Sequence, residues 1–383
     1  MEKLNQWIKP TSSLTLNGKR FSVDYLINAK DEDDAREKAF DITVEQTVEF
    51  PVECVPDQIL EQKILGIIES FKKIDPNTFK VNISFPIEAA GEELVQLLNV
   101  LYGNISIKPG IKIVDIHLHS SMNSFLKGPK FGIKGIRKIL NIENSPLVCS
   151  ALKPMGLSSY DLSQMALMFA RGGVNLIKDD HGLSNQKFSD FKSRVSSVTD
   201  AIKDFPHTLY APNVTAPISE LLDRALFAKE CGAKALLVSP GLSGFDSIKM
   251  LSENTNINLP IVAHPAFLGS FVTSNINGMN HKTLFGKIMR MSGADVSIYP
   301  NFGGRFSFSK EECQDIVKGC TEKFSHFESI FPCPGGGMNF SNVPLMKEIY
   351  GNDVIYLMGG GLVKRSSNLE INTRELINLI QKK

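Results

Sequence analysis

The sequence predicts an α/β chain with a C-terminal (β/α)8 barrel preceded by a small α+β domain, and three observations carry that expectation. From about residue 146 onward a short apolar run, a polar or glycine tip and an amphipathic helix recur eight times. Before that, apolar periodicity switches between two-residue and helical spacing without repeating the unit. At 383 residues the chain exceeds one small domain.

The N-terminal elements come first. "RFSVDYLINA" alternates as a strand and "DEDDAREKAF" reads as a capped helix. "QKILGIIESFKKI" and "TFKVNISFP" follow as strands, "EELVQLLNVLYG" as a helix and "IKIVDIHLH" as a last strand. This order is that of a ferredoxin-like sandwich. Residues 1–122 are therefore expected to form that domain, 123–145 ("FLKGPKFGIKGIRKIL" within it) a linker and basic helix, and 146–383 the barrel. The eight barrel runs are "PLVCSALK", "VNLIKDD", "HTLYAPNVT", "KALLVSP", "PIVAHP", "DVSIYP", "SIFPCPGGG" and "DVIYLMGGG". Helical stretches such as "SSYDLSQMALMFARGG" and "ISELLDRALFAKECG" connect them.

Composition narrows the partners. Lys plus Arg number 42 against 41 Asp plus Glu, which gives no electrostatic case for nucleic acid or an anionic membrane. No stretch approaches the roughly 18 apolar residues of a membrane span, and "MEKLNQWIKPTSSLTLNGKR" lacks a secretory core, so a cytoplasmic location is expected. Six cysteines without a CxxC pair argue against a zinc ribbon or a disulfide framework.

Barrels of this kind carry their chemistry at the C-terminal ends of the strands. Those ends read Lys153; Lys178 with Asp180 and His181; Asn213; Ser239; His264; Tyr299 with the loop to Arg305; Gly335, Gly336 and Gly337; and Gly359, Gly360 and Gly361. The two glycine tips follow strands seven and eight, where exposed backbone N–H groups commonly hold a phosphate; each alone could equally be a tight turn. Lys178 and Asp180 share one face of their strand. They form either a simple ion pair or, if the buried amine takes up carbon dioxide as a carbamate, oxygen ligands for Mg²⁺. His181 is a third ligand, a proton shuttle or a loop residue. Lys153 either stabilises an enolate, acts as acid/base, or snorkels at the rim. His264 is a substrate contact or a core histidine, and Arg305 closes over an anion or stays in solvent. His117, His119, His207, His281 and His326 are read as structural.

Together, "FLKGPKFGIKGIRKIL", "SALKPMGLS", "GGVNLIKDDHGLSNQ", "CPGGGMNF" and "YLMGGG" resemble the large subunit of ribulose bisphosphate carboxylase over nearly the whole chain. "VEQTVEFP" and "LYGN" resemble segments which that family sends across a dimer interface, so the resemblance implies a homodimer in which Glu45 and Asn104 complete the partner's site. It also implies Mg²⁺ at a carbamylated Lys178. The departures are Met155 in "KPM", where the carboxylases carry a lysine, His181 in place of a carboxylate ligand, Arg305 in place of a loop lysine, and Gly335 in place of a serine. Carboxylation is therefore not expected, and the chain is similar to the non-photosynthetic, form IV RuBisCO-like branch. The resemblance implies metal-dependent enolate chemistry on a phosphorylated sugar or sugar acid. The leading expectation is a lyase acting on 3-oxo-isoapionate 4-phosphate by decarboxylation or transcarboxylation/hydrolysis. The alternative is a methionine-salvage enolase of 2,3-diketo-5-methylthiopentyl 1-phosphate or a related phosphosugar isomerase. Enolases of that branch use a lysine base where this chain has Asn104.

Overall fold

A computed structural model describes residues 13–381; the first part of the opening segment read for a secretory signal, residues 1–12, lies outside them. Thirteen strands are formed among the described residues: β1 (Arg20–Asn28), β2 (Ile67–Asp75), β3 (Thr78–Pro86), β4 (Ile111–His117), β5 (Leu147–Leu152), β6 (Leu176–Asp179), β7 (Leu209–Ala211), β8 (Leu236–Val238), β9 (Ile261–Ala263), β10 (Gly278–Met279), β11 (Val296–Pro300), β12 (Phe331–Gly335) and β13 (Ile355–Leu357). The chain divides into two compact units. Among the described residues one comprises 13–126, 269–284 and 324–326, and the other comprises 127–268, 285–323 and 327–381.

In the first unit the sheet order is β10-β4-β1-β3-β2. The antiparallel 4-1-3-2 arrangement of its first four strands is that of a ferredoxin-like sandwich. Alternation in β1 buries Phe21, Val23, Tyr25 and Ile27 on one face. Helix Glu32–Glu45 buries Ala35, Ala39 and Ile42, and its N-cap Asp31 accepts the Asp34 N–H at 2.9 Å. The Tyr25 hydroxyl donates to Leu101 O at 2.9 Å, which ties helix Leu94–Tyr102 to β1. Strand β10 runs parallel to β4; it comes from the stretch between β9 and β11, in which the sequence pattern signals no strand.

The second unit is an all-parallel eight-stranded sheet in the order β7-β6-β5-β13-β12-β11-β9-β8. A bridge from Asn213 to Leu237, just past β7, closes it into the expected (β/α)8 barrel. All eight runs read from the sequence are strands. Helix Gly132–Leu140 plugs the N-terminal end, where Ile133, Ile136 and Leu140 pack on inward residues such as Leu147, Leu176 and Val296. Asp295, fully buried at the foot of β11, anchors that plug by accepting Phe131 N–H (2.8 Å), Gly132 N–H (2.7 Å) and Ile261 N–H (2.9 Å). With the bottom sealed by apolar packing, the polar inward positions lie only at the opposite end. No described helix is long and apolar enough to cross a membrane.

Candidate active site at the barrel mouth

Two-residue alternation decides what enters the mouth. Cys149, Leu176, Leu237 and Val262 belong to the barrel core. Residues an even number of positions further along the same strands, namely Lys153, Lys178, Asp180, Ser239 and His264, therefore face the same interior, one or two layers above it.

Lys178 is 2% exposed, and its Nζ donates to the backbone carbonyl of Asp179 at 3.0 Å. Burial pushes its pKa below the usual lysine value, against the opposing influence of Cys149 and Asp180. Asp180 is also pushed up by burial, but the neighbouring His181 ring and the charges of Lys153 and Lys178 outweigh this and hold its carboxyl well below the usual range. Lys153 Nζ lies 3.5 Å from Asp180 Oδ1, and His181 Nδ1 lies 3.7 Å from the same oxygen. The rings of His181 and His264 stack at 4.6 Å with an interplanar angle of 11°. His264 is half-buried; desolvation first, then the nearby Lys178 and His181, lower its pKa well below the usual imidazole value.

The glycine tips join this cluster. A Cβ on Gly359 would lie 3.0 Å from Lys153 Cε, so the tip after β13 rests directly against the lysine that ends β5. A Cβ on Gly361 would meet Met338 O at 2.5 Å, which places the tip after β12 beside it. Gly336 (φ +84°) and Gly337 (φ +80°) are left-handed and at least partly exposed to solvent, whereas Gly335 is buried against Leu357. Gly304, next to Arg305, packs on Gly336 and Gly337. Arg305 itself is exposed, 5.4 Å over the Phe306 ring, with no carboxylate partner among the described residues. Lys153, Lys178, Asp180, His181, His264, both glycine tips and the Arg305 loop thus form one contiguous rim. Asn104 and Glu45 lie in the first unit: the Asn104 amide donates to Glu45 Oε1 (3.0 Å) and to Glu49 Oε1 (2.9 Å).

One arrangement escapes sequence reading. Asp179 faces away from the mouth, fully buried, and accepts from Arg194 (3.0 Å), the Tyr210 hydroxyl (2.7 Å) and Asn213 N–H (3.0 Å). Arg194 also donates to Ser189 O and Ser184 O, and the Asn213 amide donates to His181 O and Leu183 O. This network pins the loop that carries Asp180 and His181. The only signal in the sequence is the doubled aspartate, one of which must point toward the helices. Tyr299, read as a tip, likewise points outward from β11 and is fully buried. The Ser239 hydroxyl is buried without a hydrogen-bond partner among the described residues.

The family's cation requires oxygen ligands. Among the described residues no three His, Cys, Asp or Glu side chains converge as a metal cage. The buried, desolvated amine of Lys178 beside Asp180 nevertheless has the character that carbamate formation needs, so the donors fit Mg²⁺ on condition that Lys178 supplies the second oxygen group.

A parallel barrel with lysines, a carboxylate and two glycine turns at its C-terminal mouth has the form of an enzyme site. The profile of the ribulose bisphosphate carboxylase large chain, catalytic domain, matches residues 132–366, and the chain belongs to that family, on its RuBisCO-like side. It is 32% identical to a Rubisco-like protein from Rhodopseudomonas palustris of known crystal structure, with a TM-score of 0.83, covering 94% of this chain and 97% of that one. It is 31% identical to 5-methylthioribulose-1-phosphate isomerase of Rhodospirillum rubrum over 89% of this chain and 91% of the relative. It is 32% identical to 2,3-diketo-5-methylthiopentyl-1-phosphate enolase of Bacillus cytotoxicus over 81% and 75%.

Proposed function

We propose that the protein enolises a phosphorylated five-carbon ketone carrying a methylthio group, by removing a proton from the carbon beside the carbonyl. The observation that carries this reading is the contact of Gly359 with Lys153, which sets a phosphate-type turn directly beside an amine that is 41% exposed to the mouth. The phosphate rests on the backbone N–H groups of Gly336, Gly337 and Gly359–Gly361, and Arg305 covers it from the loop after β11. Lys153 is the amine best placed to accept the substrate proton, its Nζ lying 3.5 Å from Asp180 Oδ1. Carbamylated Lys178 and Asp180 would hold Mg²⁺, with His181 alongside; when bound, the cation supplies charge stabilisation to the oxygen that becomes an enolate.

The names of the relatives favour enolisation over the carbon–carbon cleavage expected from the sequence. Asn104, clamped between two carboxylates, offers no base where the enolase lysine would stand. That favours 5-methylthioribulose 1-phosphate over the diketone as substrate. A homodimer in which Glu45 and Asn104 approach the partner's mouth is part of the proposal.

The test is incubation of each phosphorylated ketone with the protein in heavy water. Deuterium should enter the substrate carbon beside the carbonyl with no release of carbon dioxide. Release of carbon dioxide from 3-oxo-isoapionate 4-phosphate, with no exchange into either ketone, would replace this reading with the lyase.

A further inference from the structure

Two side chains at the end of β6 bring unlike donors to one point. His181 Nδ1 lies 3.7 Å from Asp180 Oδ1, and the His181 side chain is 52% exposed. Adjacent ligands of a six-coordinate ion with bonds of about 2.1 Å stand about 3.0 Å apart, so a shift of about 0.7 Å brings this oxygen and this nitrogen onto one cation. The imidazole is held before any ion arrives. Its ring stacks on His264 at 4.6 Å with 11° between the planes, and the His181 carbonyl accepts from the Asn213 amide at 3.1 Å. The neighbouring side chain adds no hard donor. A Cβ on Gly182 would lie 2.7 Å from Met155 Cε and 3.7 Å from Asp180 Oδ2, so a thioether end borders the pair. Mg²⁺ takes oxygen ligands, whereas imidazole suits the later first-row ions.

We propose that His181 ligates the cation through Nδ1 and makes this centre select a borderline first-row ion, for which Co²⁺ is the probe, over Mg²⁺. This rests on the placement of the cation in the reading above. With Nδ1 on the ion, the neutral ring carries its hydrogen on Nε2. Charge stabilisation of a forming enolate oxygen is open to either ion, so the selection changes which cation is held and not the reaction.

The experiment is calorimetry on the full chain with bicarbonate present, titrating Co²⁺ and Mg²⁺ each alone. A site with nitrogen and oxygen donors ranks Co²⁺ above Mg²⁺ in any case, so the diagnostic is the dependence on His181. His181→Gln should lower Co²⁺ affinity about tenfold or more and leave Mg²⁺ affinity within about threefold. His181→Glu, which places an oxygen donor there, should bring the two ions to within about tenfold of each other. The exposed ring fills no core space, so these variants keep the fold. ¹H spectra of the Co²⁺-loaded parent should show an exchangeable imidazole N–H shifted far outside the ordinary range by the paramagnetic ion, and His181→Gln should lack it. Equal losses of both ions in His181→Gln, or a Co²⁺-loaded parent without that signal, overturn the proposal. Deuterium exchange that proceeds in the parent while His181→Gln holds Co²⁺ as tightly overturns the proposal alone. Co²⁺ bound with the shifted N–H, but no exchange into either ketone, upholds the ligand assignment and overturns the enolising reading.

Discussion

Replacing Gly359 with alanine separates the chemistry of the mouth from the stability of the barrel. Gly359 has φ −113°, outside the left-handed region that glycine adopts most readily, so the added methyl is judged by what it meets. Its Cβ would sit 3.0 Å from Lys153 Cε and 3.5 Å from Nζ, whereas ordinary contact begins at 3.4 Å. The lysine end must therefore withdraw by about 0.4 Å from the glycine tip, and because it is the far end of a flexible chain it can do so at little energetic cost. Misplacement of a reacting group by 1 Å costs about a hundredfold in rate, so 0.4 Å corresponds to roughly a sixfold loss. The expected outcome is a kcat for deuterium exchange lowered about sixfold, with unfolding free energy within about 0.5 kcal/mol of the parent, since alanine also restricts the unfolded chain. Paired urea unfolding and exchange kinetics measure both. Unchanged kcat would refute the placement of Lys153 in the reaction; a parallel loss of stability would show that the tip is only a structural turn.

Three further outcomes follow from the structure. Mg²⁺ affinity by calorimetry should rise with bicarbonate and lose that dependence in Lys178→Ala; equal affinity with and without bicarbonate contradicts the carbamate. Arg194→Leu should destabilise the chain by about 3–5 kcal/mol, because Asp179 is left charged and buried without its guanidinium; a cost below about 1 kcal/mol contradicts the pinning network. Asp24, 8% exposed, is pushed up by burial, but this is outweighed by His117, Asn82 and Lys80, which hold its pKa below the ordinary 3.8. A depressed carboxyl pKa contributes stability above the unfolded value that is lost as pH falls through the folded one. Stability should therefore drop below about pH 4 in the parent and less steeply in Asp24→Asn, as followed by acid unfolding.

Much of the fold is legible because the two periodicities are strong. Each barrel strand is a short apolar run with a polar or glycine end, and the parity of Lys178 and Asp180 alone sends both into the mouth. What stays hidden depends on contacts distant in sequence. Asp179 differs from Asp180 only by one step along the strand, and its partners Arg194 and Tyr210 lie on elements whose own patterns give no sign of it. The two residues of β10 are too few to show alternation and pair only because β4 offers an open edge. The meeting of Gly359 with Lys153 closes the first barrel strand against the last, a neighbour relation that exists only once the barrel has formed.

The most direct measurement of the central claim is a crystal structure of the protein soaked with 5-methylthioribulose 1-phosphate. The expected density has the phosphate on the backbone amides of the two glycine turns and the ketone oxygen within hydrogen-bonding reach of Lys153 or His264. A phosphate bound away from those turns, or a ketone pointing out of the barrel, would contradict it.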